Sequence, residues 1–440
     1  MNSQFKNGIV LGLALFAMFF GAGNLIFPTS VGLNAGNNWF LAMLGFLATG
    51  VGLPLLGVFS VIKIGGTLKS FSKKLGGIFS NVYGVTVITS LALVAISRTA
   101  ATTFEMSIQP LVPDFSPVIS SIIFFAITLV MVINPSGIID RIGKILTPVL
   151  LTMLSIIIVK GIIDPIGNPV HALESTPFSN GFFGGYQTMD ALGSVILGGI
   201  IIGSLIEKGY TDKVSQRKVA RTAILIAGAG LAAVYGGLLY LGATSSGVLS
   251  ADLSRTDLTI QIVQLVLGNT GKIILGICVA FACLTTSVGL TATVGDYYQD
   301  LTKNKINYKA IVILVSVLCA IISNFGVDTI VSLATPLLIA IYPVTIVLIV
   351  LNLLSDRIPP VSVRASVIGA FSVSLFDGLK AINITIDQVD AFIQQLPLAD
   401  QNFAWISPAL LGLVIGYALD FANKPKSTTK PKNRKAIKAT

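Results

Sequence analysis

Apolar stretches of membrane-spanning length follow one another along almost the whole 440-residue chain, and only short polar segments separate them. Hydrophobic residues make up 53% of the sequence and charged residues 11%, whereas a soluble domain carries about 25% charged residues. Most of the surface must therefore face lipid. This composition excludes an ordinary soluble enzyme, a nucleic-acid-binding protein and a disordered scaffold.

Twelve stretches are predicted as transmembrane helices because each is long and apolar enough to cross a bilayer. They cover residues 8–31, 39–62, 78–97, 117–134, 145–163, 184–206, 220–243, 271–294, 308–325, 327–351, 363–379 and 403–421. The stretch at 363–379 is short and carries Arg364 and Asp377 at its ends. The pattern predicts an all-α, multi-pass membrane protein with one domain over 1–423 and both termini on the same side.

The basic residues predict which side that is, because Lys and Arg accumulate in short cytoplasmic loops. Of the 29 basic residues, 24 fall on one side, namely Lys6 and those in 63–77, 135–146, 207–221, 296–309, 355–364 and 424–440. The other side holds Arg98, Lys160, Arg255, Lys272 and Lys380. Both termini are therefore predicted to be cytoplasmic. Residues 424–440 form a basic, solvated tail that anionic lipid attracts, so the net charge of +10 requires no nucleic acid.

The motifs of several functional classes are absent. The only histidine, His171, falls in a polar loop, and Cys278, Cys283 and Cys319 lie within apolar runs, which excludes a histidine or cysteine metal site. The segment 268–272 lacks the spacing of a phosphate-binding loop, and neither H-E-x-x-H nor G-x-S-x-G occurs. Channels, facilitators and secondary transporters remain, and an enzyme is not expected.

Helix-breaking residues interrupt the first span at its middle. The sequence Phe-Phe-Gly-Ala-Gly-Asn-Leu-Ile-Phe-Pro at 19–28 places Gly21, Gly23 and Asn24 within an apolar run. Lipid cannot hydrogen-bond an opened backbone, so such a break requires a protein or ligand partner. The alternative is an intact helix that packs through small residues, although packing would not need the amide of Asn24.

A second glycine-rich segment opens the sixth span, at 181–193, and contains Asp190, a carboxylate inside a membrane run. An ionisable group in the membrane is costly and indicates function. Asp190 could instead lie in a loop at the outer interface.

The two breaks lie five helices apart. Because five is an odd number, the first and sixth spans cross the membrane in opposite directions, so any repeat between 8–163 and 184–351 must be inverted. Helices in 363–421 would then be accessory.

The two breaks resemble the branched-chain amino acid:cation symporter family, at Phe-Gly-Ala-Gly-Asn-Leu-Ile-Phe-Pro (20–28) and Gly-Tyr-Gln-Thr-Met-Asp-Ala-Leu (185–192). The resemblance extends over essentially the whole chain. It implies a leucine-transporter type of fold with an inverted five-plus-five repeat and broken helices 1 and 6. It also implies import of leucine, isoleucine and valine with Na⁺ across a bacterial cytoplasmic membrane, without another cofactor or an obligate protein partner.

An amino-acid substrate would find complementary groups at these breaks. The N–H groups of Ala22, Gly23 and Asn24 begin a half-helix and favour a carboxylate. Carbonyls near Met18 and Phe19 and between Thr188 and Asp190 could hold the ammonium group, as could the side chain of Asp190. The predicted substrate-binding residues are Ala22, Gly23, Asn24, Tyr186, Thr188, Met189 and Asp190.

The eighth span contains Ala-Cys-Leu-Thr-Thr-Ser at 282–287, which is similar to the segment that binds sodium in leucine-transporter-type proteins. The resemblance implies five oxygen ligands, the carbonyls of Ala17, Phe20 and Ala282 and the hydroxyls of Thr285 and Thr286. These hydroxyls could instead bond the backbone of their own turn. A proton-coupled carrier, a carrier of other amino acids and, outside this class, a channel remain as alternatives.

Overall fold

The computed structural model describes residues 3–21, 23–133, 138–173, 175–354 and 357–423, with backbone alone for 138–147. These ranges contain helices and no β-strand. The α-helices are α1 (Ser3–Phe19), α2 (Gly23–Ala35), α3 (Trp39–Leu47), α4 (Leu53–Ile64), α5 (Leu68–Ser72), α6 (Gly77–Ser90), α7 (Ser97–Thr103), α8 (Pro117–Ile133), α9 (Ile138–Ile163), α10 (Pro177–Tyr186), α11 (Asp190–Glu207), α12 (Lys213–Ser245), α13 (Arg255–Leu301), α14 (Tyr308–Ser323), α15 (Val327–Leu354), α16 (Pro360–Lys380), α17 (Asp387–Gln394) and α18 (Ile406–Asn423).

Seven helical segments within the described ranges are long and apolar enough to cross a membrane. They are Gly23–Ile64, Gly77–Ile108, Asp190–Glu207, Lys213–Ser245, Arg255–Leu301, Val327–Leu354 and Pro360–Lys380. Five shorter apolar helices accompany them, at Gln4–Phe19, Pro117–Ile133, Pro148–Ile163, Tyr308–Ser323 and Ile406–Ala422. The predicted all-α membrane architecture is therefore confirmed.

The outer faces of peripheral helices are apolar. On α14, the side chains of Leu314, Val317 and Ile321 are each more than half exposed, as are Leu411 and Val414 on α18. Such apolar surface is unfavourable in water and is compatible with contact to acyl chains.

Glycines allow two pairs of helices to approach backbone to backbone. A Cβ at Gly32 of α2 would lie 1.9 Å from the carbonyl oxygen of Leu239 on α12, and a Cβ at Gly242 would lie 2.1 Å from that of Thr29. Gly45 of α3 has the same relation to α10, where its Cβ would lie 2.0 Å from the carbonyl oxygen of Phe178. Small residues in membrane helices permit this close packing. It fixes the two broken helices against their neighbours.

The structure corrects three predicted boundaries. The third span continues from Gly77 to Ile108, so Arg98, predicted in the outer loop, lies inside a helix and is 4% exposed. The sixth span begins at Pro177, and the eighth extends to Leu301 after a non-helical residue at Gly268. The predicted spans were too short where a charged residue or several glycines occur, because sequence alone does not show that these residues face protein. The predicted tail at 424–440 lies outside the described residues.

A labelling experiment can test the predicted orientation of the loops. Lys69 and Lys213 are exposed at positions predicted to be cytoplasmic, and Ser175 and Asn269 are exposed at positions predicted to be external. We expect an impermeant thiol reagent to label single cysteines at 175 and 269 in whole cells, but those at 69 and 213 only after permeabilisation.

The native cysteines provide little background, because Cys278, Cys283 and Cys319 are all buried. The unmodified chain is the control in both conditions. Labelling of position 69 from outside intact cells would contradict the predicted orientation.

Candidate functional site

The first span is broken between α1 and α2, where Phe20 and Gly21 are non-helical. The N–H of Gly21 donates to Oδ1 of Asn24 at 3.1 Å, and the N–H of Asn24 donates to the carbonyl of Gly21 at 3.2 Å. The Asn24 side chain therefore caps part of the backbone that the break opens. The predicted break at Gly21 to Asn24 is longer than the observed one, because α2 already begins at Gly23. Ala22 lies outside the described residues.

The second break comprises residues 187–189, between α10 and α11. Met189 has φ +62°, a left-handed conformation that is uncommon for a residue with a side chain. The hydroxyl of Thr188 donates to the carbonyl of Gly185 at 2.9 Å and accepts from the N–H of Asp190 at 3.3 Å. The break lies within the predicted glycine-rich segment 181–193 but is shorter, because the glycines before it belong to α10 and pack against α3. A Cβ at Gly181 would lie 1.9 Å from the carbonyl oxygen of Ala42.

One amide side chain connects the two breaks. Nδ2 of Asn24 donates to Oδ2 of Asp190 at 2.6 Å and also to the hydroxyl of Tyr235 on α12. The Tyr235 hydroxyl in turn donates to Oδ2 of Asp190 at 3.4 Å. All three side chains are buried, with exposed fractions of 2%, 8% and 0% for Asn24, Asp190 and Tyr235. Asp190 thus lies inside the bundle and accepts hydrogen bonds from two neutral groups.

A cavity of about 870 Å³ meets both breaks. It extends along the second half of α1, from Phe19 back to Leu13 and Val10, and along α11 as far as Ile200. It therefore runs from the breaks toward the end of the bundle at which α1 begins. Its walls include eight of the twelve predicted site residues, which are Ala17, Gly23, Asn24, Thr188, Met189, Asp190, Thr285 and Thr286.

Of the other predicted residues that the structure describes, Tyr186, Phe20 and Ala282 do not line this cavity. Tyr186 is buried behind the second break, with its ring stacked on Tyr342 at 3.9 Å between centroids. The ring of Phe20 stacks on Phe16 at 5.4 Å. The carbonyl of Ala282 accepts the hydroxyl of Thr285 at 3.0 Å, so that hydroxyl bonds its own turn in this structure.

Thr286 faces the first break from the eighth span. Its hydroxyl oxygen would lie 3.5 Å from a Cβ built at Gly21. The structure therefore brings the two threonines, Ala17 and the first break to one wall of the cavity. Oxygen ligands for a small cation are available there from hydroxyls and from opened backbone.

Arg98, which was predicted in an outer loop, lines the cavity. Its Nη1 donates to the carbonyl of Gln187 in the second break at 2.7 Å, and its guanidinium lies 5.1 Å from the ring centroid of Phe27. Its Nη2 would lie 2.7 Å from a Cβ at Gly23. The guanidinium therefore contacts both breaks. Among the described residues, Arg98 has no ion-pair partner within 4.0 Å.

The sequence contained a weak signal for Arg98. The five residues after it, Thr-Ala-Ala-Thr-Thr, are small and uncharged, which suits a continued helix in a bundle. Two π-helical segments, Leu91–Ile96 and Phe104–Ile108, flank α7 in the structure. Segments of this kind often occur at functional sites. No sequence feature indicated a role for Tyr235, because an aromatic residue in an apolar span ordinarily packs against its neighbours.

Polar contacts close the bundle at the end opposite the cavity mouth. Glu105 accepts the N–H of Val327, at the start of α15, at 2.8 Å and the hydroxyl of Thr256 at 2.7 Å. Arg255 pairs with Asp328 next to these contacts. The first turns of α13 and α15 are thereby joined to the end of the third span.

Comparison with known proteins agrees with this arrangement. The profile described as branched-chain amino acid transport protein matches residues 4–423. The chain is 38% identical to branched-chain amino acid permease BraB of Bacillus subtilis over 426 residues, which cover 94% of this chain and 95% of that protein.

Two solved structures have the same fold. The inward-facing conformation of Mhp1 superposes with a TM-score of 0.64 at 15% identity, over 94% of this chain and 91% of that one. MhsT in complex with L-phenylalanine gives a TM-score of 0.55 at 17% identity, over 93% and 98%.

The broken helices and these structural likenesses define the leucine-transporter type of fold, and the profile match together with the similarity to BraB makes the chain a membrane transporter. A transporter of this class moves its solute and is not an enzyme. The chain belongs to the branched-chain amino acid transport protein family.

The hydroxyl of Tyr235 can be removed with the ring kept. We expect Tyr235→Phe to lower the apparent affinity for labelled leucine about tenfold or more, because Asp190 and Asn24 each lose a buried hydrogen-bonding partner. Uptake rates against leucine concentration in proteoliposomes give this value. Tyr240→Phe on the same helix is the matched control, since the described structure gives its hydroxyl no hydrogen bond while its ring packs on Trp39. Equal behaviour of the two variants would contradict the role of Tyr235.

A methyl group at Gly23 tests the close approach at the first break. In Gly23→Ala, the Cβ would lie 2.7 Å from Arg98 Nη2 and 3.0 Å from Phe27 Cε2, so the guanidinium must move from its site. We expect leucine uptake to be lost while monodisperse protein is still obtained. Gly203→Ala on α11 is the control, because no atom lies within 4 Å of its added Cβ. Normal uptake by Gly23→Ala would show that the close approach is dispensable.

Proposed function

We propose that this chain is a secondary active transporter that imports leucine, isoleucine and valine by symport with Na⁺ across a bacterial cytoplasmic membrane. The observation that carries the proposal is the meeting of two opened helices at Asn24 and Asp190, inside a mostly apolar cavity. The relative BraB is named as a branched-chain amino acid permease. MhsT, which has the same fold, is named in complex with an amino acid.

The walls of the cavity suit an aliphatic side chain. Its apolar lining includes Leu91, Ala95, Ile196, Leu197 and Leu290. Burial of a leucine side chain against such surface contributes about 1.5–3 kcal/mol. Polarity is concentrated at Gly23, Asn24 and the segment from Thr188 to Asp190. An ammonium group would bind Asp190 and the carbonyls of the second break, and a carboxylate would bind at the start of α2.

The proposed topology has twelve spans with an inverted repeat, 8–163 against 184–351, and accessory helices in 363–421. With the N-terminus in the cytoplasm, the cavity opens inward and the contacts at Glu105, Arg255 and Asp328 close the outer side. Alternating access would then require these outer contacts to separate as the inner half of the cavity closes.

The proposed coupling site consists of the carbonyls of Ala17, Phe20 and Ala282 and the hydroxyls of Thr285 and Thr286. The proximity of Thr286 to Gly21 supports it, because the ligands must come from the first and eighth spans together. The hydrogen bond from the Thr285 hydroxyl to the Ala282 carbonyl is compatible with this site, because the hydroxyl proton serves the carbonyl while the oxygen lone pairs remain available to a cation.

Proton coupling is the second candidate, and a specific observation favours it. Asp190 is a buried carboxyl group that lines the cavity and receives hydrogen bonds from neutral partners. A group in this position could take up a proton together with the substrate. The two candidates differ in which gradient drives uptake.

Purified protein in proteoliposomes tests the function and distinguishes the ions. We expect an inward Na⁺ gradient at constant pH to drive accumulation of labelled leucine above its equilibrium level, with isoleucine and valine as competitors. An inward pH gradient without Na⁺ is the second arm, and empty liposomes are the control. Accumulation in the pH arm alone would establish the proton-coupled alternative. Linear, unsaturable leucine flux without counterflow would indicate a channel.

Loss of two hydroxyls tests the cation site. Thr285→Val/Thr286→Val keeps side-chain volume and removes two of the five proposed oxygen ligands. We expect the Na⁺ concentration for half-maximal leucine uptake to rise about tenfold or more, with a smaller effect on leucine affinity at saturating Na⁺. Thr86→Val on α6 is the control, because it removes a hydroxyl that bonds the Val82 carbonyl and does not line the cavity. Unchanged Na⁺ dependence in the double variant would place the ion elsewhere.

A further inference from the structure

Arg98 lies in the cavity with donors that no protein group uses. Its side chain is buried, it lines the cavity, and its Nη1 donates to the Gln187 carbonyl. Its Nε is buried and has no hydrogen-bond partner among the described residues. An arginine presents five N–H donors in a planar fork, so most of its capacity remains available.

A buried guanidinium without a counter-charge is costly at membrane depth. Asp190 lines the same cavity but does not form an ion pair with Arg98 within 4.0 Å, and its Oδ2 is occupied by Asn24 and Tyr235. The two charged residues therefore have separate hydrogen-bond partners. The cavity that both of them line carries a basic group and an acidic group.

The beginning of α2 lies at the same place as the guanidinium. A Cβ at Gly23 would be 2.7 Å from Arg98 Nη2, so the first backbone donors of α2 and the guanidinium converge. The first N–H groups of a helix have no intrahelical acceptor, and the helix dipole adds positive potential there. Two independent features thus attract an anion to one point of the cavity.

We propose that Arg98 binds the carboxylate of an α-amino acid substrate, together with the N–H groups that begin α2, while Asp190 binds the ammonium group. The assignment rests on the proposed amino-acid transport and makes it more specific. A carboxylate is planar and matches the guanidinium fork in two hydrogen bonds. The site therefore requires a free α-carboxylate, and amides and decarboxylated amines of the same side chain bind weakly.

Binding to purified protein in detergent tests the assignment separately from transport. The probes are leucine, leucinamide, 3-methylbutylamine, which lacks the carboxylate, and 4-methylpentanoate, which lacks the ammonium group. Thermal stabilisation as a function of probe concentration gives each apparent affinity. The proteins are the wild type, Arg98→Gln, Arg98→Lys and Asp190→Asn, each shown to be monodisperse by size-exclusion chromatography.

We expect Arg98→Gln to lose about 10- to 100-fold in affinity for leucine and for 4-methylpentanoate, the range for a charge-assisted hydrogen bond. Its affinity for 3-methylbutylamine should change less than about threefold, since that probe has no group for Arg98. Arg98→Lys should retain part of the leucine affinity, because it keeps the charge and loses the fork. Asp190→Asn should show the opposite selectivity and weaken the amine more than 4-methylpentanoate.

Equal losses for leucine and 3-methylbutylamine in Arg98→Gln would overturn the proposal and assign Arg98 to the support of the second break. Recovery of leucine affinity in Arg98→Gln/Asp190→Asn would also overturn it, since Arg98 would then only neutralise Asp190. If the Arg98 variants do not fold, the wild type decides, and a preference for leucine over leucinamide below about threefold contradicts the assignment. Failure of the proposed function has a different signature, which is wild-type protein that binds leucine but does not accumulate it.

Discussion

The hydrogen bonds of two opened helices are the constraint on which the rest of the structure depends. Lipid offers no donors or acceptors, so each backbone group freed by a break must bond to protein, water or a ligand. Here the Gly21 N–H bonds to Asn24, and the Gln187 carbonyl bonds to Arg98. The side chains that satisfy the breaks are therefore the same ones that form the cavity wall, and stability and binding cannot be altered independently at these positions.

Asn24 illustrates this dual use. Its oxygen accepts from the first break, and its nitrogen donates to Asp190 at the start of α11 and to Tyr235 on α12. One amide thus joins three helical segments through its donor and acceptor groups. Because the bonds are buried, breaking one without replacement would cost about 1–3 kcal/mol. The broken helices are therefore expected to move together in a transport cycle, while the outer contacts at Glu105 and Asp328, nearer to solvent, separate more readily.

Much of this architecture was predictable from sequence, because hydropathy and helix breakers are local signals. The apolar runs predicted the helical membrane fold, and the residues around Gly23 and Asp190 predicted where two helices break. The predicted position of Arg98 was wrong. In sequence, a charged residue that follows an apolar run looks the same whether it lies at the membrane interface or in a buried cavity. Only the packing of neighbouring helices decides between them. Tyr235 was missed for a related reason, because its hydroxyl acquires a role only through partners distant in sequence.

The separation of Arg98 and Asp190 has a consequence for how a membrane potential acts on such a carrier. With Arg98 protonated and Asp190 ionised, the empty cavity is neutral, and a zwitterionic substrate leaves it neutral. In the proposed symport, a co-transported Na⁺, or a proton on Asp190, would add one positive charge to the loaded form only. A potential of 100 mV, negative inside, then favours inward transfer of that charge by about 2.3 kcal/mol and does not oppose the return of the empty carrier. If the two charged residues paired with each other instead of each having its own contacts, a zwitterionic substrate would find no complementary groups in the cavity to replace its hydration shell.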